Sequence, residues 1–468
     1  MSVNRLVAIW QKSSIYRLRR YFYGEDDGPP MEPVFEGADI SWEIRDDTLY
    51  LRGKGDMTFL RDEEKDRLDI PWYYEAFTRV SFEGNITSIG PEAFHTSDLV
   101  EIDIPDSVEH IDALAFCSCR SLEKVRFGRH LRSIGGYAFE DCVKLRRVVL
   151  GGCVEVVDYS CFEGCSSLIS FETSPVLRSV GERAFFGCSS LVRISLTEKV
   201  LRVAGNPFAG CSSMKEIEVS PFSSVYSSSD GVLYNRPRSV LISVPGGTEG
   251  VFRVPDTVVE IGRDAFRGSR VTSVVIPASV RSVDVAAFRD CKELRSVTIA
   301  HEESRHGVRF RDRILKGEMF CGCSSLEEVV LPEDLETIEF GAFEGCSSLR
   351  TVRIPASVER INERAFKGSG IKEMELPENL EYLGPMAFES CASLESVRLN
   401  EGLVTVDSAA FRNCTSLGEI DIPESVVEIE ADAFEGCTGL RKAVIRSSAI
   451  EPGDVFPEGV ETIVPDTQ

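Results

Sequence analysis

Fifteen cysteines and five histidines are the residues of this 468-residue chain from which metal, redox or nucleophilic chemistry would be built. Two pairs, Cys117-Ser-Cys119 and Cys321-Gly-Cys323, invite comparison with such sites. Zinc uses C-x₂₋₄-C, and neither pair has a second pair or a histidine at suitable spacing. His301 and His306 flank Glu302 but stand five apart, whereas two rings reach one helix face only at a four-residue step. They read as part of a loop. There is no G-x-S-x-G elbow, phosphate-cradling glycine loop or dinucleotide fingerprint. A hydrolase dyad could hide among the many carboxylates, yet Asp106, Asp256 and Glu424 each follow a proline at repeat-like positions, where turn capping is role enough. The expectation is a non-catalytic protein without metal or cofactor.

The cysteines are ordered by something other than chemistry. Eleven of them, Cys119, Cys142, Cys165, Cys188, Cys211, Cys291, Cys323, Cys346, Cys391, Cys414 and Cys437, lie three residues after a phenylalanine, and Ser97, Ser269 and Ser369 take the same slot elsewhere. Serine replaces a small buried thiol more readily than half of a disulfide, so the slot reads as a column of reduced core cysteines. The phenylalanines themselves recur at positions 94, 116, 139, 162, 185, 208, 266, 288, 320, 343, 366, 388, 411 and 434, and all but two of the intervals are 22 or 23 residues. That regularity signals a repeat architecture.

One unit shows the logic of the rest. Leu417, Ile420 and Ile422 follow L-x-x-L-x-L, in which the last two apolar residues share one face of a short strand. Pro423 ends that strand, having no N–H for a ladder. Val426 and Ile429 lead into Ala433-Phe434-x-x-Cys437, whose three-residue step predicts a tight helical or 3₁₀ turn with Phe and Cys inward. A single unit cannot bury its apolar side; stacked units can, each touching mainly its two neighbours.

Two intervals are long. The 58-residue one contains Ser229 to Ile242, two β-rich runs around Pro237, and predicts a hairpin; the 32-residue one contains the polar stretch His301 to His306. Both are expected to project as loops, where specificity often resides.

Lys plus Arg number 52 against 76 Asp plus Glu, a net charge of −24, which argues against a general nucleic-acid or polybasic membrane binder. Apolar residues make up 43 % and charged ones 27 %, the balance of a folded chain, and no apolar run approaches a bilayer span. Residues 1–32 form a basic amphipathic leader without the apolar core or cleavage site of a signal peptide. A cytoplasmic location is therefore expected over the cell surface.

These residues resemble the BspA-like leucine-rich repeat family, whose units run I-P-x-x-V-x-x-I-x-x-x-A-F-x-x-C-x-x-L. Ser41 to Ile44, Thr48 to Leu51, Gly53, Gly55 to Met57 and Pro71 to Tyr73 are similar to its amino-terminal β cap, and Asp230 to Pro245 to its inserted hairpin unit. The resemblance implies a curved solenoid used for interaction, often as a surface adhesin. The expected fold is α/β: a right-handed solenoid with a parallel sheet on the concave face and short helical or 3₁₀ turns opposite. Residues 33–80 would form the cap, 81–445 the solenoid with insertions near 220–250 and 300–313, and 446–468 a degenerate last repeat or cap.

The third and fifth positions of L-x-x-L-x-L face out from the sheet. Their series, from Glu101/Asp103 through Lys124/Arg126 and Arg147/Val149 to Lys442/Val444, places acidic strands beside basic ones, so that cross-strand pairs absorb much of the charge. It holds no aromatic run and no continuous basic stripe. The middle strands are polar and nearly neutral, which makes Ser273, Ser296, Thr298, Glu328, Thr351 and Arg353 the candidate partner-binding positions. The leading reading is a scaffold that binds another protein; the alternatives are an adhesin exported by an unrecognised route and an enzyme with a site at the hairpin or cap.

Overall fold

The computed structural model describes residues 39–59, 61–62, 67–68, 70–299, 313–451 and 455–464. The basic leader and the polar stretch containing His301 and His306 lie outside them. The chain divides into two compact units, Met1–Phe185 and Phe186–Gln468.

In the first unit, Asp39–Arg45 pairs antiparallel with Thr48–Asp56 across a turn at Asp46 and Asp47, both at positive φ. Thr48–Asp56 then runs parallel to Arg79–Ile89. From there each period makes one coil with two short parallel strands. The three-residue strands carry the leucine-rich pattern: Glu101–Asp103 pairs with Lys124–Arg126, and Arg147–Val149 with Ser170–Glu172. Their central residues Ile102, Val148 and Phe171 are buried while both flanks face outward, as a period of two requires. A second ladder links Ser88–Ile89, His110–Ile111, Ser133–Ile134, Val156–Val157 and Ser179–Val180.

The Phe-bearing segments, expected as helical or 3₁₀ turns, are instead successions of β-turns, and no helix occurs among the described residues. The reason lies in the backbone. Residues two before and two after most of these phenylalanines are left-handed, as at Leu114 and Ser118 around Phe116 and Tyr137 and Asp141 around Phe139, while Phe208 and Phe434 have only the later one. A left-handed residue every fourth position cannot continue a right-handed helix. It turns alternate N–H groups toward the next coil: Leu114, Phe116 and Ser118 donate to the carbonyls of Gly136, Ala138 and Glu140, at 3.0, 2.7 and 2.7 Å. These bonds form a third ladder, which offsets the strain of holding Leu, Tyr and Asp at positive φ.

Inside the coils the phenylalanines stack. In the first unit, Phe94, Phe116, Phe139, Phe162 and Phe185 follow one another at 4.9 to 5.8 Å with rings within 16° of parallel. Trp72 begins the column, stacked 6.1 Å from Phe94, with its indole N–H bonded to the Ala93 carbonyl. The second unit repeats the arrangement from Phe266 to Phe434, and Phe456 closes it 5.2 Å beyond. A last strand there, Glu461–Ile463, pairs with Lys442–Ile445.

The long interval of the second unit does contain the hairpin, but it does not project. Tyr226–Ser229 and Val232–Asn235 pair antiparallel around Asp230-Gly231, and Val240–Ser243 continues antiparallel to Val232–Asn235 before running parallel to Glu260–Ile261. Val232, Leu233, Tyr234 and Leu241 are buried, so the insertion is an extra layer of the sheet. On the turn side the coils of Phe208 and Phe266 meet directly, through Gly210 N–H to the Arg267 carbonyl and Asn206 Nδ2 to the Asp264 carbonyl.

Candidate functional site

The cysteine column is internal architecture. Within each unit the column thiols donate to the carbonyl of the previous coil's Phe: Cys119 to Phe94 at 3.0 Å, Cys142 to Phe116 at 3.3 Å, Cys346 to Phe320 at 3.1 Å, Cys437 to Phe411 at 3.0 Å. Serine in the slot bonds the next cysteine, as Ser97 does Cys119 at 3.2 Å and Ser369 does Cys391 at 3.3 Å. All fifteen cysteines are unbridged. In the two C-x-C pairs, burial pushes the Cys117 and Cys119 thiols up to about 12 and Cys321 to about 11. Among the described residues no group of three or more His, Cys, Asp and Glu side chains is arranged to hold a metal ion. Nor is any helix among them long and apolar enough to cross a membrane.

The face of three-residue strands presents the chain's outward columns. Of the six positions singled out from the sequence, Ser273, Ser296 and Glu328 stand in one register line, and Ser273 Oγ lies 2.9 Å from Ser296 Oγ. Thr298 sits two residues further along the same strand, opposite Val275. Thr351 and Arg353 fall in a segment that forms no strand, and Arg353 pairs at 3.5 Å with Glu333. The structure thus aligns three of the positions and leaves Thr351 and Arg353 outside the ladder.

Cross-strand ion pairs cover much of this face. Arg126 bonds Asp103 at 3.1 Å, Arg398 bonds Glu375 at 3.0 Å, and Arg147 bonds Glu172. All are open to solvent, so each contributes only about 0–1 kcal/mol. A groove of about 950 Å³ opens in the first unit over Glu101, Asp103, Glu123, Lys124, Arg126, Arg146, Arg147 and Val149, with Phe127 and Leu150 behind them. Sequence reasoning passed over it because its charges seemed to cancel in pairs; among the described residues, however, Lys124 and Arg146 make no ion pair. The signal in the sequence was the crowding of basic residues between 120 and 147 in a strongly acidic chain.

A family model described as a BspA type leucine rich repeat region matches residues 87–215, 141–242, 251–307 and 313–441, well over half the chain. This protein belongs to the BspA type leucine-rich repeat family. The repeat that defines the family is the coil described above, with its strand, its Phe-bearing turns and its cysteine slot. A leucine rich cell surface protein from Faecalibacterium prausnitzii has a similar fold, at 24 % identity and TM-score 0.53, over 80 % of this chain and 96 % of that one. A leucine-rich repeat protein from Eubacterium ventriosum aligns at 21 % identity and TM-score 0.49, over 90 % of this chain and 94 % of its own. The pneumococcal vaccine antigen PcpA aligns at 18 % identity and TM-score 0.49, over 92 % and 98 %. No curated protein matches the chain.

Proposed function

We propose that this BspA type repeat protein is a non-catalytic interaction protein that binds another protein through its three-residue strand face. The observation that carries this reading is how the coils divide their side chains. The column of cysteines is turned inward, while the strand flanks repeat the same pair of outward positions coil after coil. Such a surface offers many shallow contacts in register, which suits a macromolecular partner better than a small substrate needing a deep pocket.

Capture from the source cell tests it. Proteins retained by the intact chain are compared with those retained by a strand-face charge-reversal set, Lys124→Glu, Arg126→Glu, Arg147→Glu and Arg398→Glu. A control set, Lys144→Glu and Lys292→Glu, sits on the turns after Cys142 and Cys291. Loss of a specific partner with the first set alone is expected. Equal retention by both sets, or turnover of a substrate by the purified chain, would overturn the reading.

A further inference from the structure

We propose that the groove of the first unit takes an extended acidic segment of a partner protein, with its carboxylates on Lys124 and Arg146 and an apolar side chain on Val149. This rests on the interaction reading above and names the chemistry of the partner.

The groove is lined by four cations, Lys124, Arg126, Arg146 and Arg147, against three carboxylates, Glu101, Asp103 and Glu123. In a chain of net charge −24 this is a local reversal of sign. The cations are not equivalent. Arg126 is occupied by Asp103 at 3.1 Å and Arg147 by Glu172, whereas Lys124 and Arg146 are exposed and form no ion pair among the described residues. Glu101 stands opposite Lys124 in register, but among the described residues neither Lys124 nor Arg146 is held in an ion pair, and the two lie on neighbouring coils. Beside them Val149 is 44 % exposed, an apolar contact on the groove's lining.

Spacing fixes the kind of ligand. Neighbouring coils stand about 4.8 Å apart, and side chains two residues apart on an extended peptide are separated by about 6.6 Å. Lys124 and Arg146 stand one residue out of line on those coils, and acidic residues at i and i+2, whose side chains share one side of the peptide, can be offered to both long side chains. A continuous polyphosphate fits poorly, because Glu101, Asp103 and Glu123 line the same groove and would lie against its charges. Separate carboxylates on a peptide can avoid them.

The probe is a fluorescein-labelled peptide of about a dozen residues, alternating Glu and Ser with a central Val, titrated with the full chain by fluorescence anisotropy at low salt. A Lys-for-Glu peptide and a single-stranded oligonucleotide serve as the comparison ligands. The Glu peptide is expected to bind, to weaken with added salt, and to lose about tenfold or more in affinity to Lys124→Glu/Arg146→Glu. Lys292→Glu, on the turn after Cys291, should leave it unchanged. The double variant alters exposed side chains without ion pairs, and an unchanged thermal midpoint verifies its fold. Failure of the Glu peptide to bind, insensitivity to the double variant, or equal or tighter binding of the oligonucleotide would overturn the proposal. If the peptide fails while partner capture still depends on the strand face, only this assignment falls; if capture is indifferent to the strand face, the functional reading falls.

Discussion

Phe343 is the middle plate of three, its ring 5.4 Å from Phe320 and 5.1 Å from Phe366, nearly parallel to both and fully buried. Replacing it with alanine empties a ring-sized space that the coil cannot close. The backbone on either side is pinned by Phe320 N–H to the Ala342 carbonyl at 2.8 Å and by Phe343 N–H to the Ala365 carbonyl at 2.7 Å. The expected cost is about 3–5 kcal/mol, of which the two ring contacts account for about 1–3 kcal/mol. Phe343→Leu retains most of the apolar volume and loses the rings, so its cost should approach that smaller figure. In a stack where each coil answers mainly to its neighbours, the damage is local. Amide hydrogen exchange followed by mass spectrometry should show peptides covering residues 318–368 opening roughly a hundredfold to several thousandfold faster in Phe343→Ala, with those around Phe434 little changed. Acceleration below about threefold, or uniform acceleration across the second unit, would refute the ring column as the source of cohesion.

Two further outcomes follow from groups inside the coils. With a thiol-reactive dye the native chain should release one fast equivalent, from the exposed Cys153. The remaining thiols should react only on unfolding, since burial pushes groups such as Cys211 and Cys391 up to about 12 and about 11; several fast thiols in the native chain would contradict the buried column. Glu389 is buried between Lys367 at 2.8 Å and Arg412 at 2.7 Å. Burial alone would raise its carboxyl, but hydrogen bonds from Lys367 and Arg412 outweigh that and hold it below the ordinary glutamate value of 4.5. A carboxyl lowered by folding stabilises fully above its unfolded value and loses that contribution as pH falls through its folded one. Glu389→Gln should therefore cost about 1–3 kcal/mol near neutrality, screened because both cations are partly exposed. In urea titrations the gap to the unaltered chain should close below about pH 4.5; a gap independent of pH would remove the charge from the explanation.

The solenoid was legible because its two strongest constraints act on residue type. Only a large flat ring fills the Phe slot and only a small side chain fills the one three residues later, so the period survives in the letters. The turns were not legible, because their geometry is set between coils. Leu114, Tyr137 and Met386 have no intrinsic preference for positive φ and adopt it where the next coil supplies a carbonyl. The second ladder is hidden for a related reason: two residues per strand leave too short an alternation to recognise. The hairpin was readable as a hairpin from Asp230-Gly231 and Pro237, but its burial depended on the neighbouring coils. On the strand face the columns could be written down in advance. Which cations find partners depends on side-chain reach, and so Lys124 and Arg146 stood out only in three dimensions.

The hairpin's position shows that the two flanks of this molecule keep separate counts. Between Phe208 and Phe266 the turn side advances by one step, Gly210 to Arg267, while the sheet side takes in additional strands. Each coil offers its successor the same rim of donors and acceptors, so any coil can follow any other. Duplicating or excising one period between Glu318 and Glu430 would leave rims that still match, and the strand face would widen or narrow by a single lane, its chemistry rewritten without the frame being redesigned.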